Sequence, residues 1–383
     1  MEKVAIVGYG MSPQADIIKD SREGMIFSTV KQTLEAHDIK RDDISTWVMC
    51  SNDFYDGRTI SNVFTVDPSG AYGKDETKVE QDGMHALLYA WMRVASGNHE
   101  MAIVVAHSKG SEFEPHVALS AQLDPTYDRQ FGFLNDIAAA ALQARAYLAK
   151  NKLDEDVLAE VAFKNLSNAE KNPLASVRKK GLSVKDIAQS PELFSPLREM
   201  TSYPATDGCC VAVLANEKKA RKITKKPVWI TGFGHCQEAY YLGERDLTRI
   251  RSAKDAARRA YKMAGIKDPA KDIDVFEVSE HFAHQELMLY EALGLSEPGK
   301  AAKLLNKGKT ELKGAIPVNP SGGALAACAL GTVGLVRAVE CAMQIRGEAG
   351  KHQVKKAKTA LAHGQCGMAA QNNIVAILKG FRL

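Results

Sequence analysis

Val4-Ala-Ile-Val-Gly-Tyr-Gly10 is matched 224 residues later by Val228-Trp-Ile-Thr-Gly-Phe-Gly234. Each is an apolar, β-branched run ending in Gly-x-Gly, which reads as a buried strand. Either alone looks like the start of a dinucleotide fingerprint, but neither has the third glycine at the required place. The segments after the two runs also correspond. A helical stretch (about 23–37 and about 253–264) leads to Ile39-Lys40 or Ile266-Lys267, then to Asp43-Ile44 or Asp272-Ile273. A strand comes next, Thr46–Cys50 in the first copy and Asp274–Val278 in the second. Matched order of strand, helix, turn and strand is the mark of an internal duplication. Later, Ala102–Ala106 and Cys209–Leu214 find their counterpart in a final strand, Ile374–Leu378. Strands alternating with helices predict βαβ units and a mainly parallel sheet.

The polar run from Asn216 to Lys226 separates the copies, and 108–202 fits neither. The domains expected are therefore an N-terminal half (1–107 and 203–225), a segment 108–202 covering the site, and a C-terminal half (226–383). The middle segment carries helices near Asn135–Lys150 and Glu155–Lys171 and a Pro/Lys-rich stretch, and is expected to be mobile.

With 383 residues and a net charge of +4, the chain shows no dense basic block, only scattered pairs such as Lys218-Lys219 and Lys225-Lys226. Nucleic acid is therefore not an expected partner. Ile316–Val336 is long and uncharged, but its two prolines and four glycines make it a buried core segment rather than a membrane span. The N-terminus enters a strand directly, with no signal peptide expected. Seven cysteines at irregular spacing, with no Cys-x-x-Cys, point to a reducing compartment and the cytoplasm, and away from disulfides or zinc.

The run Val318-Asn-Pro-Ser-Gly-Gly-Ala-Leu-Ala-Ala-Cys-Ala-Leu-Gly-Thr-Val-Gly334 predicts an extended approach, a tight turn through Ser321-Gly322-Gly323, and an uncharged helix running towards Val336. Such a turn aims backbone N–H groups and a helix N-terminus at one spot, suited to an anion or a polarised carbonyl. Asn319-Pro-Ser-Gly-Gly323 resembles a segment of the thiolase superfamily. So do Glu286-Leu with Tyr290-Glu-Ala-Leu-Gly-Leu295, Asp207-Gly208 before a small-residue strand, and Ala362-His-Gly-Gln-Cys-Gly-Met368 in the last loop. The branch most similar is that of sterol-carrier-protein thiolases, whose bacterial and archaeal members often pair with a small zinc-ribbon/OB-fold protein. The resemblance implies an α/β fold of two βαβαβαββ halves in five αβαβα layers, and a homodimer through the N-terminal half. It also implies an acyl-CoA ligand, coenzyme A as substrate or product, and no metal in this chain.

The same resemblance implies the site residues. Glu80 stands where the family has its nucleophilic cysteine, in Glu80-Gln-Asp-Gly83. It is either a general base with a raised pKa, if buried, or an acid near a helix N-cap, a task Asp82 can perform alone. In Ser279-Glu-His-Phe-Ala283, Ser279 replaces the residue that orients an oxyanion-hole water. His281 is either a catalytic acid/base or a packed histidine. His284 makes a His-x-x-His pair with it, but no third ligand lies at familiar spacing, so a metal is not expected. Cys328 replaces the family's histidine in the Gly-Gly loop, and by composition alone reads as a small buried residue of an Ala-rich helix. His363, taken as a loop residue, fits proton transfer at the α-carbon. Backbone amides at Glu80 and Gln365 suit an oxyanion hole. Ser321, Gly322, Gly323 and Cys366 are the expected substrate and coenzyme A contacts.

The resemblance implies acyl-CoA carbon–carbon chemistry without the usual cysteine. One reading is thiolysis of a bulky or branched 3-oxoacyl-CoA such as benzoylsuccinyl-CoA, with the zinc-ribbon partner. An alternative is retro-aldol cleavage of a 3-hydroxyacyl-CoA, for which Tyr240, Tyr241 or Tyr290 would supply a hydroxyl. A further alternative is a catalytically inactive scaffold subunit.

Overall fold

The computed structural model describes residues 2–132, 134–176 and 180–380. The strands in chain order are β1 (Val4–Met11), β2 (Thr46–Cys50), β3 (Asp75–Val79), β4 (Met101–Lys109), β5 (Glu192–Phe194), β6 (Leu197–Arg198) and β7 (Asp207–Asn216). The second half adds β8 (Val228–Gln237), β9 (Val275–Glu277), β10 (Thr359–Cys366) and β11 (Asn372–Lys379). Nine of them form one sheet in the order β3-β2-β4-β7-β1-β8-β11-β10-β9, while β5 and β6 make a separate hairpin.

From each outer end towards the centre, this order repeats. β1 meets β8 through only two residue pairs, Ala5 with Trp229 and Ile6 with Val228, so two half-sheets are joined by a short seam. The outermost position of the second half is a single bridge, Phe276 to Val318, where the first half has the whole of β3. The sheet is mixed rather than mainly parallel: β2 runs parallel to β3 and β4, but β7 and β11 return antiparallel to both neighbours. A tight connection between β10 and β11 permits that return, since antiparallel neighbours need no crossover helix.

The principal helices are α1 (Arg22–Ala36), α2 (Gly83–Ala95), α3 (Asp136–Asn151), α4 (Asp156–Ala169), α5 (Arg251–Ala264), α6 (Ala283–Ala292), α7 (Gly323–Ala326) and α8 (Val333–Arg346). Strand alternation sorts them into layers. Val4 and Ile6 of β1 face a core with Met84 and Leu87 of α2, Leu335 and Val339 of α8, and Ile374 and Ala376 of β11. Ala5 and Val7 face the other way, onto Met25, Ile26 and Val30 of α1. On the far side of the second half-sheet, Phe276 and Ile377 pack with Ala257 of α5, Leu287 of α6 and Leu158 of α4. The result is the expected five layers, with α2 and α8 enclosed between the half-sheets.

Two expectations need correction. The stretch after the Gly-Gly turn is not one helix: α7 ends at Ala326, Ala327 is extended, and Cys328 pairs with Ala205 before α8 begins. The Thr206 N–H donates to the Cys328 carbonyl (3.1 Å), so this backbone leaves the helix to bond the other half of the chain. The stretch around His363 is a strand, β10, rather than a loop. Within 108–202, α4 is hydrogen-bonded to the core through Lys164, Asn165 and Asn168. Among the described residues no helix is long and apolar enough to cross a membrane.

Candidate active site

Asn319 adopts a left-handed backbone (φ +51°), which asparagine tolerates better than most residues. Its side chain is fully used. Oδ1 accepts the Val278 N–H (2.7 Å), and Nδ2 donates to Glu280 (2.7 Å) and Glu286 (2.8 Å). Asn165 bridges the same two carboxylates, and Lys164 donates to Glu286 (2.5 Å) and to the Val318 carbonyl (3.0 Å). Asn168 and Asn172, further along the same face, donate to the carbonyls of Asn319 and Ser321. Burial, and then the neighbouring Glu286, push Glu280 up to about 8.

The N–H groups of the Gly-Gly turn are therefore turned inward. Ser321 N donates to Glu277 (3.0 Å), Gly322 N to the Asn319 carbonyl (3.0 Å) and Leu325 N to Glu280 (3.3 Å). Arg337 closes the cluster on Glu277 (2.9 Å) and the Ser321 hydroxyl (2.7 Å). Ser321, Gly322 and Gly323 are buried in this polar network and do not line the cavity at the junction of the two halves. Ser321 and the turn that follows it contact the protein's own acids, Glu277 and Glu280.

That cavity, of about 290 Å³, lies where the two halves and the middle segment meet. The first half supplies Asn52, Tyr55, Glu80 and Asp82, the middle segment Asp136, and the second half His281, Gln285, Gln365 and Cys366. Of the sequence-predicted residues it thus brings together Glu80, His281, Gln365 and Cys366. Glu80 is half-exposed at the edge and paired with Lys78 (2.7 Å), so it is not a buried base. The buried carboxylate is Asp82, two residues on. Its Oδ1 accepts the Met84 N–H (2.9 Å) at the start of α2, and its Oδ2 accepts the Gly334 N–H (3.0 Å) at the start of α8. Burial raises its pKa to about 6, against the opposing pull of those N–H groups.

His281 faces the cavity with Nε2 sealed from solvent and without a partner. Burial lowers its pKa to about 4, so it is neutral and available as a base. Its backbone N–H donates to Gln285 Oε1 (3.1 Å), which also accepts from Gln365 Nε2 (2.8 Å), leaving Gln365 Oε1 unpaired. His284 is packed behind, bonded to Gln143 (3.1 Å), and held near 3 by burial. No group of three or more His, Cys, Asp or Glu residues suited to a metal occurs among the described residues.

Ser279, His363 and Cys328 lie behind the cavity wall. The Ser279 N–H approaches His363 Nδ1 (3.3 Å), its hydroxyl donates to the His363 carbonyl (2.7 Å), and His363 Nε2 donates to Asn373 Oδ1 (2.8 Å). His363 is a completely bonded strand residue with a pKa lowered to about 4 by burial, not a loop histidine facing substrate. Cys328 is fully buried and burial pushes its thiol well up, as it does for Cys50 and Cys366. All seven cysteines are free thiols. Sequence reasoning missed Asp136, Tyr55 and Gln285 as cavity residues. Asp136 comes directly after the helix-capping Asn135, which signals a helix start but not what that start faces.

The site combines a neutral histidine, two buried carboxylates and amide groups, a set suited to proton transfer beside a carbonyl. Residues 234–380 match a family model described as thiolase C-terminal domain-like. Acetyl-CoA acetyltransferase of Methanothermobacter thermautotrophicus is 31% identical over 372 residues, covering 95% of this chain and 96% of that protein. Sterol carrier protein 2 of Bos taurus is 34% identical over 212 residues, covering 54% of this chain and 38% of that protein. Among solved structures, the Ltp2-ChsH2(DUF35) aldolase superposes with a TM-score of 0.87 at 20% identity, covering 100% of this chain and 99% of that one.

Proposed function

The chain belongs to the thiolase superfamily, and on that premise we propose that it cleaves or forms a carbon–carbon bond beside a coenzyme A thioester without an acyl-cysteine intermediate. The observation that carries this is the occupant of the paired helix N-termini. That place would lower a thiol's pKa, and here it holds the Asp82 carboxylate. Burial pushes up the thiols of Cys50, Cys328 and Cys366, which disfavours a thiolate at the site.

The reading favoured is retro-aldol cleavage of a 3-hydroxyacyl-CoA. A base in the cavity, His281 or Asp82, takes the hydroxyl proton, and the Cα–Cβ bond pair becomes the thioester enolate. Backbone and amide N–H groups near Gln365 hold the oxyanion, and Cα is then protonated. Direct thiolysis of a 3-oxoacyl-CoA, such as benzoylsuccinyl-CoA, is the second reading. The full-length similarity to an acetyl-CoA acetyltransferase favours it. It requires free coenzyme A as a second substrate at the acyl carbon, which the aldol reading does not.

A homodimer is proposed through the first half. There β3 is an edge strand, and Phe54, Ile60, Val63, Phe64 and Tyr72 are exposed on the segment beside it. A small zinc-ribbon/OB-fold partner is proposed from the family resemblance, and a reducing compartment such as the cytoplasm from the free thiols.

The test is to incubate a panel of 3-hydroxyacyl- and 3-oxoacyl-CoAs with the protein, with and without its partner, in the presence and absence of free coenzyme A. Cleavage of hydroxyacyl esters without coenzyme A is expected. Cleavage only of oxoacyl esters, and only with coenzyme A, overturns the aldol reading in favour of thiolysis. An acyl adduct on Cys328 or Cys366 by mass spectrometry overturns both. No turnover by folded protein returns the chain to a scaffold role.

A further inference from the structure

Asp136, the first residue of α3, faces the cavity and is held there by two donors. His116 Nδ1 bonds its Oδ1 and the Tyr203 hydroxyl bonds its Oδ2, each at 2.8 Å. His116 and Tyr203 also line a second cavity, of about 440 Å³, which shares Phe282 with the first. The Asp136 side chain is 9% exposed, whereas that of His116 is 43% exposed. A short hydrogen-bonded path therefore runs from solvent through His116 to a carboxylate in the closed site. The Tyr203 ring also lies 5.4 Å from that of His281.

We propose that Asp136, backed by His116 and Tyr203, is a second proton-transfer group of the cavity, with His116 as its port to solvent. This rests on the acyl-CoA reading above. In that reaction an O–H bond breaks, the Cα–Cβ pair becomes the enolate, and a C–H bond forms at Cα. The proton lost and the proton gained sit at different atoms, so two groups from different segments serve better than one. A carboxylate that has taken a proton must also release it before the next turnover. Asp82 is hydrogen-bonded to backbone N–H groups, while Asp136 is hydrogen-bonded to a half-exposed histidine. The hydrogen bond that His116 makes to the Asp136 carboxylate raises the His116 pKa, favouring the protonated ring. The other charged groups near His116 are Glu114 on its own segment, and Asp16 and Glu199 across the second cavity. None of these bonds the imidazole.

Two measurements decide this. The first is NMR titration of labelled histidines in the free protein. His116 is expected to titrate above the ordinary histidine range, and to fall back in Asp136→Asn. An unshifted His116, or a shift that persists in Asp136→Asn, overturns the proposal whatever the reaction. The second is exchange of the α-protons of propionyl-CoA in heavy water, measured over pH. His116→Gln is expected to slow exchange roughly 10²-fold and to remove one limb of its pH profile, while Tyr203→Phe shifts that limb. Exchange that is unaffected by His116→Gln overturns the role of this group alone. Exchange absent from the unmodified protein, with His116 titrating as expected, overturns the acyl-CoA reading and the proton-transfer role with it.

Discussion

The Asp82 carboxylate accepts the N–H of Gly334, so one side chain from the first half caps a helix of the second. Its other oxygen caps its own helix at Met84. The close approach depends on glycine: a Cβ at Gly334 would lie 1.9 Å from Asp82 Oδ1, and one at Gly364 would lie 2.5 Å from the same atom. Gly334→Ala is expected to drive Asp82 off both helix ends and destabilise the protein by about 3 kcal/mol. Urea unfolding measures the loss, and a variant as stable as the parent would refute this account of the centre.

Asp82 also gives stability a pH dependence. Its pKa rises from an ordinary 3.8 to about 6 in the folded state. The folded form therefore holds the proton more tightly, and the favourable contribution is complete below about 4 and lost as pH rises through about 6. Relative to Asp82→Asn, the natural protein should lose about 2.4 kcal/mol of stability between pH 4 and pH 7.5. Denaturation of both at the two pH values checks the sign as well as the size.

Lys164 donates directly to Glu286, which Asn165 ties to the neighbouring Glu280. Lys164→Met leaves that cluster without its direct counter-charge and should cost about 3–5 kcal/mol. The double variant Lys164→Met/Glu286→Gln should recover much of the loss, because the charge and its partner then leave together. A double-mutant cycle by chemical denaturation gives the coupling. Additive losses would mean that the pair does not tie α4 to the core.

His281→Ala should lower turnover roughly 10²-fold while leaving substrate binding nearly unchanged. With a folded pKa of about 4, His281 is already neutral throughout the neutral range. Its removal should therefore not abolish a pH limb near 6.5. For stability the sign is opposite to that of Asp82. The His281 contribution is present above 6.5 and is lost as pH falls through about 4. Turnover that is unchanged in His281→Ala would remove it from the chemistry.

Much of the architecture could be read from local patterns. β1 and β8 are apolar, β-branched and matched by similar successors, and burial on both faces leaves few alternatives for such runs. β10 was hidden, because Thr-Ala-Leu-Ala-His-Gly-Gln-Cys is small and polar and reads as a loop. Its strand character comes from β9 and β11 on either side, which supply the pairing that its composition does not advertise. The Asn-Pro-Ser-Gly-Gly motif was conspicuous for a reason other than the one expected. Asn319 is chosen for its backbone and for the acids it bridges, which lie on α6 and just before it.

The sequence by itself determined the duplication, the layered class and the residue types available for chemistry, because strand and helix periodicity are local properties. Only the tertiary structure decided which of those residues share a cavity. Glu80 and Asp82 are two positions apart, yet one is half-exposed and the other is sealed between two helix ends. That difference is set by Gly334 and Gly364, some 250 or more residues away. Burial fixes pKa and access, and burial is a property of the packed whole.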